Sequence, residues 1–151
     1  MGRAKANIKE QLYLECQKIL KSTIDLAQEA VTEAQQDAQD YQSNDALDGY
    51  KSQTLSRRDI FAEQLKNTVE DYTILGRLDI TVKNKTVGFG SLVITDKQKI
   101  FIAIGLGKVI LNDEDYFVIS PKVPIYTILK GLKVGDTFTF NGKKGTIKEI
   151  L

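Results

Sequence analysis

Residues 22–50 read STIDLAQEAVTEAQQDAQDYQSNDALDGY. As far as Tyr41, apolar and small residues recur at steps of three or four: Ile24, Ala27, Ala30 with Val31, Ala34, Ala38 and Tyr41. That is the spacing of one helix face. Beyond it the composition shifts to Ser43, Asn44, Asp45 and Gly49, which are turn and N-cap residues. The stretch therefore predicts a helix that ends in a reversal. It also carries seven acids (Asp25, Glu29, Glu33, Asp37, Asp40, Asp45 and Asp48) and no Lys or Arg, in a chain with 21 bases and 20 acids.

Upstream, the same stripe runs back through Ile19/Leu20, Cys16, Leu12 and Ile8, and no Pro or Gly interrupts residues 3–48. The expectation is one helix of roughly 35 residues, about 50 Å long at 1.5 Å per residue. Downstream, a second stripe takes in Leu55, Phe61/Ala62, Leu65, Val69, Tyr72 and Leu75, and Gly76 is placed to end it. A short connection makes such helices antiparallel neighbours. Residues 1–76 thus read as a long helical hairpin, a coiled coil, with its tip near 42–50. Ala27, Ala30, Ala34 and Ala38 allow close helix approach near that tip.

The second half changes period. SLVIT (91–95), KIFIAIG (99–105), KVIL (108–111) and YFVIS (116–120) are short β-branched and aromatic runs separated by DK, GLG and NDED. VPIYTILKGL places Pro124 at the first turn of a short helix and Gly131 at its C-terminal cap. TFTF-NG-KKGTIKEI closes the chain, with Asn141-Gly142 as a hairpin signal. The fold class expected is α+β. A compact antiparallel β domain with one short helix occupies residues 90–151, behind a linker at 77–89. Nothing in this half signals an aromatic-lined pocket. Charge divides the same way: residues 1–75 sum to −4 and residues 76–151 to +5.

Composition bounds the chemistry. With no His in its 151 residues, the chain lacks Ser-His, Cys-His and His-ligated metal chemistry. The absence of Trp argues against stacking platforms for single-stranded nucleic acid. Carboxylates are the main groups left for chemistry, so the chain is not expected to be an enzyme in its own right. The single Cys16 suits a reducing compartment. No apolar run spans a bilayer, and MGRAKANIKEQLYLEC has no apolar secretory core. A cytoplasmic location follows as an expectation.

Asp25, Glu29, Glu33 and Asp37 stand four apart and so share one helix face. Like charges at that spacing cost a helix about 0.2–0.5 kcal/mol per pair. They form either a solvated face without a role or a surface that presents negative potential to cations or to a basic channel. At the turn, Asp45 and Asp48 lie three apart beside Asn44 and Gly49. Two such carboxylates are too few for a metal cage but can hold a hydrated Mg²⁺ jointly with a partner's groups.

The stretch YFVISPKVPIYTILKGLKVGDTFTFNGKKGTIKEI (116–150) resembles the C-terminal half of the GreA/GreB family of bacterial transcript-cleavage factors. The residues in register are Ser120-Pro121, Leu129, Gly131, Gly135-Asp136, Gly142 and Ile147/Ile150. The helical half resembles the family in architecture. Asp48-Gly49-Tyr50 resembles the D-x-Y turn of a shorter GreA/GreB-like group common in Bacteroidetes. The resemblance implies an N-terminal antiparallel coiled coil and a C-terminal FKBP-like domain. It implies a transcription elongation regulator that inserts its acidic tip into the secondary channel of RNA polymerase, near the nascent RNA. There Asp45 and Asp48 would help hold a Mg²⁺ of the polymerase active centre, the chain having no cofactor of its own. Ser120, Pro121, Pro124 and Ile125 would touch the polymerase rim. The cleavage factors carry an Asp-Leu-x-Glu-Asn type tip, whereas here Asn44-Asp45-Ala46-Leu47-Asp48 keeps the acid spacing without the motif. Both a stimulator of Mg-dependent cleavage and a channel-occupying regulator are therefore open. An alternative from another class is a coiled-coil adaptor that binds other proteins without any polymerase activity. Oligomeric state is not legible.

Overall fold

A computed structural model describes the backbone of residues 2–40 and 48–151 and the side chains of residues 8–33 and 56–151. The elements are α1 (Gly2–Asp40), α2 (Asp48–Gly76), β1 (Leu92–Thr95), β2 (Lys99–Ile102), β3 (Gly107–Leu111), β4 (Glu114–Ile119), α3 (Pro124–Leu129), β5 (Thr137–Phe140) and β6 (Lys143–Ile150). The fold is α+β: a helix pair, then a mixed six-stranded sheet with one short helix. It divides into two compact units, Lys18–Thr73, and Met1–Gln17 with Ile74–Leu151. No helix among the described residues is long and apolar enough to cross a membrane.

In the helix unit the inward positions of α1 follow the expected stripe. Leu20 and Ala27 are buried, and Thr23, Ile24, Ala30 and Val31 are half-buried. On α2, Phe61 and Leu65 are half-buried as expected, but Val69 and Tyr72 are exposed and Thr68 is buried. The stripe steps by three from Leu65 to Thr68, not by four to Val69. Thr68 tolerates this place because its Oγ1 donates to the Gln64 carbonyl at 2.8 Å. A hydroxyl bonded back onto its own helix leaves no unmet donor when buried.

The sheet order is β3-β4-β2-β1-β6-β5. It is not wholly antiparallel: β2 and β4 run parallel, with Ile100 opposite Phe117, Phe101 opposite Val118 and Ile102 opposite Ile119. The reason lies in which strand of the β3–β4 hairpin goes inside. Strand β4 buries Tyr116 and Val118, while β3 buries only Val109 and exposes Lys108 and Ile110. The more apolar strand takes the interior, and the lysine-bearing strand becomes the edge. Since β3 reverses the chain between them, β4 then points the same way as β2.

The turns match their chemistry. Asn112 and Asp113 have φ of 53° and 64°, and Asn141 and Gly142 have φ of 52° and 77°. Two successive positive φ values make the type I′ turn that suits a twisted hairpin. The β1–β6 pairing shifts register between Ile94 and Thr95. Val93 opposes Ile150 and Thr95 opposes Ile147. The shift puts Ile147 and Ile150, three apart, on one face, where a regular strand would place them on opposite faces.

That face carries a core of Val87, Val93, Ile100, Ile102, Leu129, Ile147 and Ile150, with Ile119, Ile125, Tyr126, Leu132 and Phe138 packed against it. Helix α3 closes it through Leu129. The Lys130 N–H bonds the Tyr126 carbonyl at 2.8 Å, and Gly131 follows at φ 80°, where a side chain would be strained. Val87 shows that the stretch 77–89 feeds the core. Leu92, Phe101 and Val118 meet in register on the opposite face, beside Val109 and Tyr116. All five are buried. What remains in this unit to cover them is the first part of α1 and residues 74–90, and Leu12, Cys16 and Leu75 are fully buried. Asn112 Nδ2 donates to Gln11 Oε1 at 3.1 Å, and the buried Lys9 Nζ donates to the Val82 carbonyl at 3.0 Å. Burial lowers the Lys9 pKa, with Asp79 partly opposing, and it pushes the Cys16 thiol up to about 12.

Phe138 lies across Gly145, its cross-strand partner. A Cβ on Gly145 would stand 2.5 Å from the Phe138 ring tip. Gly145→Ala is therefore expected to cost about 1 kcal/mol, the low end for overpacking because the half-buried ring can yield. In a Phe138→Ala background the same change should cost close to nothing, as read by urea unfolding. Equal costs in both backgrounds would refute the contact.

Candidate functional site

Helix α1 continues past the sheet-covering segment into the helix unit, and there its outward face becomes acidic. Asp25, Glu29 and Glu33 are exposed and spaced by one turn. With Gln28 and Thr32 they line a shallow depression. Thr32 Oγ1 donates to the Gln28 carbonyl at 3.0 Å and so turns back onto the helix. Among the described residues no cation pairs with any of the three acids; Arg58 and Asp59 form an ion pair at 2.9 Å on α2. Leu26 lies beside them and is 68 % exposed.

Asp45 lies outside the described residues. Asp48 is the first residue of α2, and its side chain lies outside them too. The joint Mg²⁺ position therefore has no described geometry. Among the described residues no cluster of three or more carboxylate or thiol groups is arranged to hold a metal.

The four rim candidates come together at the passage from β4 into α3. Ser120 Oγ accepts the Lys122 N–H at 3.1 Å, and the Ser120 carbonyl accepts the Val123 N–H at 3.3 Å. Pro121 is half-buried, Pro124 opens α3 and is exposed, and Ile125 packs on the core. Ser120 and Ile125 thus serve the turn and the core, and Pro124 offers the most free surface of the four. The other residues carrying the resemblance also have local duties. Leu129 is core, and Gly131 and Gly135 hold φ of 80° and 93°. Asp136 Oδ2 accepts the Lys133 N–H at 2.8 Å.

One feature went unseen in the sequence. A groove of about 370 Å³ opens between the start of α3, the β1–β2 turn and the β5–β6 hairpin. Ile125, Phe138 and Phe140 give it apolar walls, so the expectation of no aromatic-lined pocket is corrected. The two phenylalanines stand two apart and share one side of β5. The alternation TFTF was the available signal, but strand periodicity does not say what lies opposite it.

Two polar anchors hold this region. Asp96 Oδ1 accepts the Thr146 N–H at 2.9 Å, which ties the β1–β2 turn to β6 and holds the Asp96 carboxyl below its ordinary pKa of 3.8. Lys99 bonds Glu114, Tyr116 OH donates to Glu114 at 3.3 Å, and the Lys99 ammonium sits 5.3 Å from the Tyr116 ring centre. The Lys99 hydrogen bond lowers the Glu114 pKa, and burial foremost raises that of Tyr116. These contacts brace β2 against β4.

No protein-family model matches the chain, and no curated protein matches it either.

A carboxyl with a depressed folded pKa contributes stability that is full above its unfolded value and lost as pH falls through the folded one. Tm is therefore expected to drop as pH is lowered from about 5 to about 2. Asp96→Asn should start lower at neutral pH and drop less over that window. A parallel pair of Tm curves would show that Asp96 does not anchor β6.

Proposed function

We propose that this chain is a cytoplasmic RNA polymerase-binding regulator of transcription elongation, of the GreA/GreB type. In this reading residues 1–76 form an antiparallel coiled coil whose acidic end enters the secondary channel. The C-terminal unit is an FKBP-like domain that docks on the polymerase rim through the Ser120–Ile125 turn.

The observation that carries the reading is the outward row Asp25, Glu29 and Glu33, free of cations among the described residues, on a helix that has no base from Ser22 to its end at Asp40. Such a face gives up helix stability, and a basic channel is a partner that would favour it. Burial steps of three and four at Leu20, Ile24, Ala27 and Val31, and at Phe61, Leu65 and Thr68, suit coiled-coil packing. The Leu129, Gly131 and Gly135-Asp136 roles support a shared fold for the C-terminal unit. In a two-metal site one ion activates water and the other stabilises the leaving oxygen. The chemistry asked of this chain is only that Asp45 and Asp48 lend carboxylate oxygens to a Mg²⁺ that the polymerase holds, which needs no His.

Immobilised chain is expected to retain cognate core polymerase at low salt and to release it as salt rises, since charge steers the encounter. No retention at low salt ends this reading. With backtracked complexes and Mg²⁺, Asp45→Ala and Asp48→Ala should each slow transcript cleavage by about 10- to 100-fold, the scale of losing a metal-supporting group. Cleavage at the wild-type rate in both variants would remove the tip carboxylates from the mechanism.

A further inference from the structure

The groove between α3, the β1–β2 turn and the β5–β6 hairpin has no part in the function proposed above. Ile125, Phe138 and Phe140 give it apolar lining, and Lys97, Lys143 and Lys144 line it as well. No carboxylate lines it. The neighbouring Asp96 is committed to the Thr146 N–H. Lys97 Nζ donates to the Lys144 carbonyl at 2.6 Å, which fixes one ammonium over the hairpin. Among the described residues neither Lys143 nor Lys144 has an ion-pair partner. At about 370 Å³ the groove admits one large apolar side chain, with its charged neighbours at the rim.

The helix unit of the same chain displays the inverse pattern. Leu26 is 68 % exposed, and Glu29 and Glu33, three and seven residues further on, share its face of α1, with Asp25 on the adjoining side. An apolar side chain flanked by carboxylates that no cation pairs with among the described residues matches an apolar groove lined by three lysines in the sign of charge. We infer that the groove is a docking site for this face of α1 from a second copy of the chain, with Leu26 seated against Phe138 and Phe140. Both patches lie on each copy and are different surfaces, so the contact is head to tail and heterologous. Each docked pair keeps one free groove and one free acidic face. The contact is small, so association is weak and concentration-dependent.

The test needs only the full chain and is independent of polymerase binding. Sedimentation velocity from about 10 μM to about 1 mM at low ionic strength should show a sedimentation coefficient that rises with concentration. That rise should fade at about 1 M salt, where screening is complete within about 3 Å. Lys143→Glu/Lys144→Glu should weaken association about tenfold or more, because like charges then face each other. Glu29→Lys/Glu33→Lys should do the same, and Leu26→Ser should weaken it at low salt although it changes no charge. Mixing the two charge-reversed variants should restore association, which also proves both folded. The inference is overturned by a sedimentation coefficient independent of concentration, by full self-association of either reversed variant alone, or by failure of the mixture to associate.

Discussion

The central strands β1, β2 and β4 are apolar on both sides, and a sheet of that kind requires cover on both. Leu92 and Val93 are adjacent and both fully buried, as are Phe101 and its neighbours Ile100 and Ile102. One side is closed by α3 and the β6 isoleucines. The other falls to the first turns of α1 and the end of α2, so a helix that begins far from the sheet in sequence is part of its core. This constraint gives α1 two characters. Through Leu12 and Cys16 it is a covering helix whose charges are mixed, with Lys9, Glu10 and Glu15 interspersed. From Lys18 on it belongs to a unit of two helices, where among the described residues one stripe finds cover and the remaining surface faces water.

What that surface carries is a choice of charge. A face with no role would accept lysine as readily as glutamate, and alternating signs would add i, i+4 support in place of repulsion. The chain instead concentrates its lysines in the C-terminal half, three of them around an apolar groove, and leaves positions 22–50 without a base. For these oppositely charged surfaces the partners proposed are a basic cavity for the acidic face and an acidic, apolar-tipped surface for the groove.

Much of this was legible beforehand because it is local. The helix periods, the Gly131 cap and the Asn141-Gly142 turn each depend on residues within a few positions of one another. What sequence missed depends on distant neighbours. Nothing near β2 announces that β4 will lie beside it in parallel; burial of Tyr116 and Val118 decides that. The β6 register shift that aligns Ile147 with Ile150 is visible only against β1. Thr68 displaces Val69 from the inward stripe because a self-bonded hydroxyl buries cheaply, which a hydrophobicity pattern cannot register. For the site, the acid row and the turn residues from Ser120 to Ile125 were legible, while the groove needed three separate segments to converge. Asp45 and Asp48 rest on sequence alone.

The claim most exposed to test is that Asp25, Glu29 and Glu33 do not hold the fold together but are kept at its expense. Neutralising them with near-isosteric amides, as Asp25→Asn/Glu29→Gln/Glu33→Gln, changes helix propensity little. Differential scanning calorimetry at low salt should then give a Tm above that of the unaltered chain, with the gain vanishing at about 1 M salt. A Tm that falls on neutralisation would mean that these carboxylates stabilise the protein itself, and the account of an acidic face reserved for a partner would be wrong.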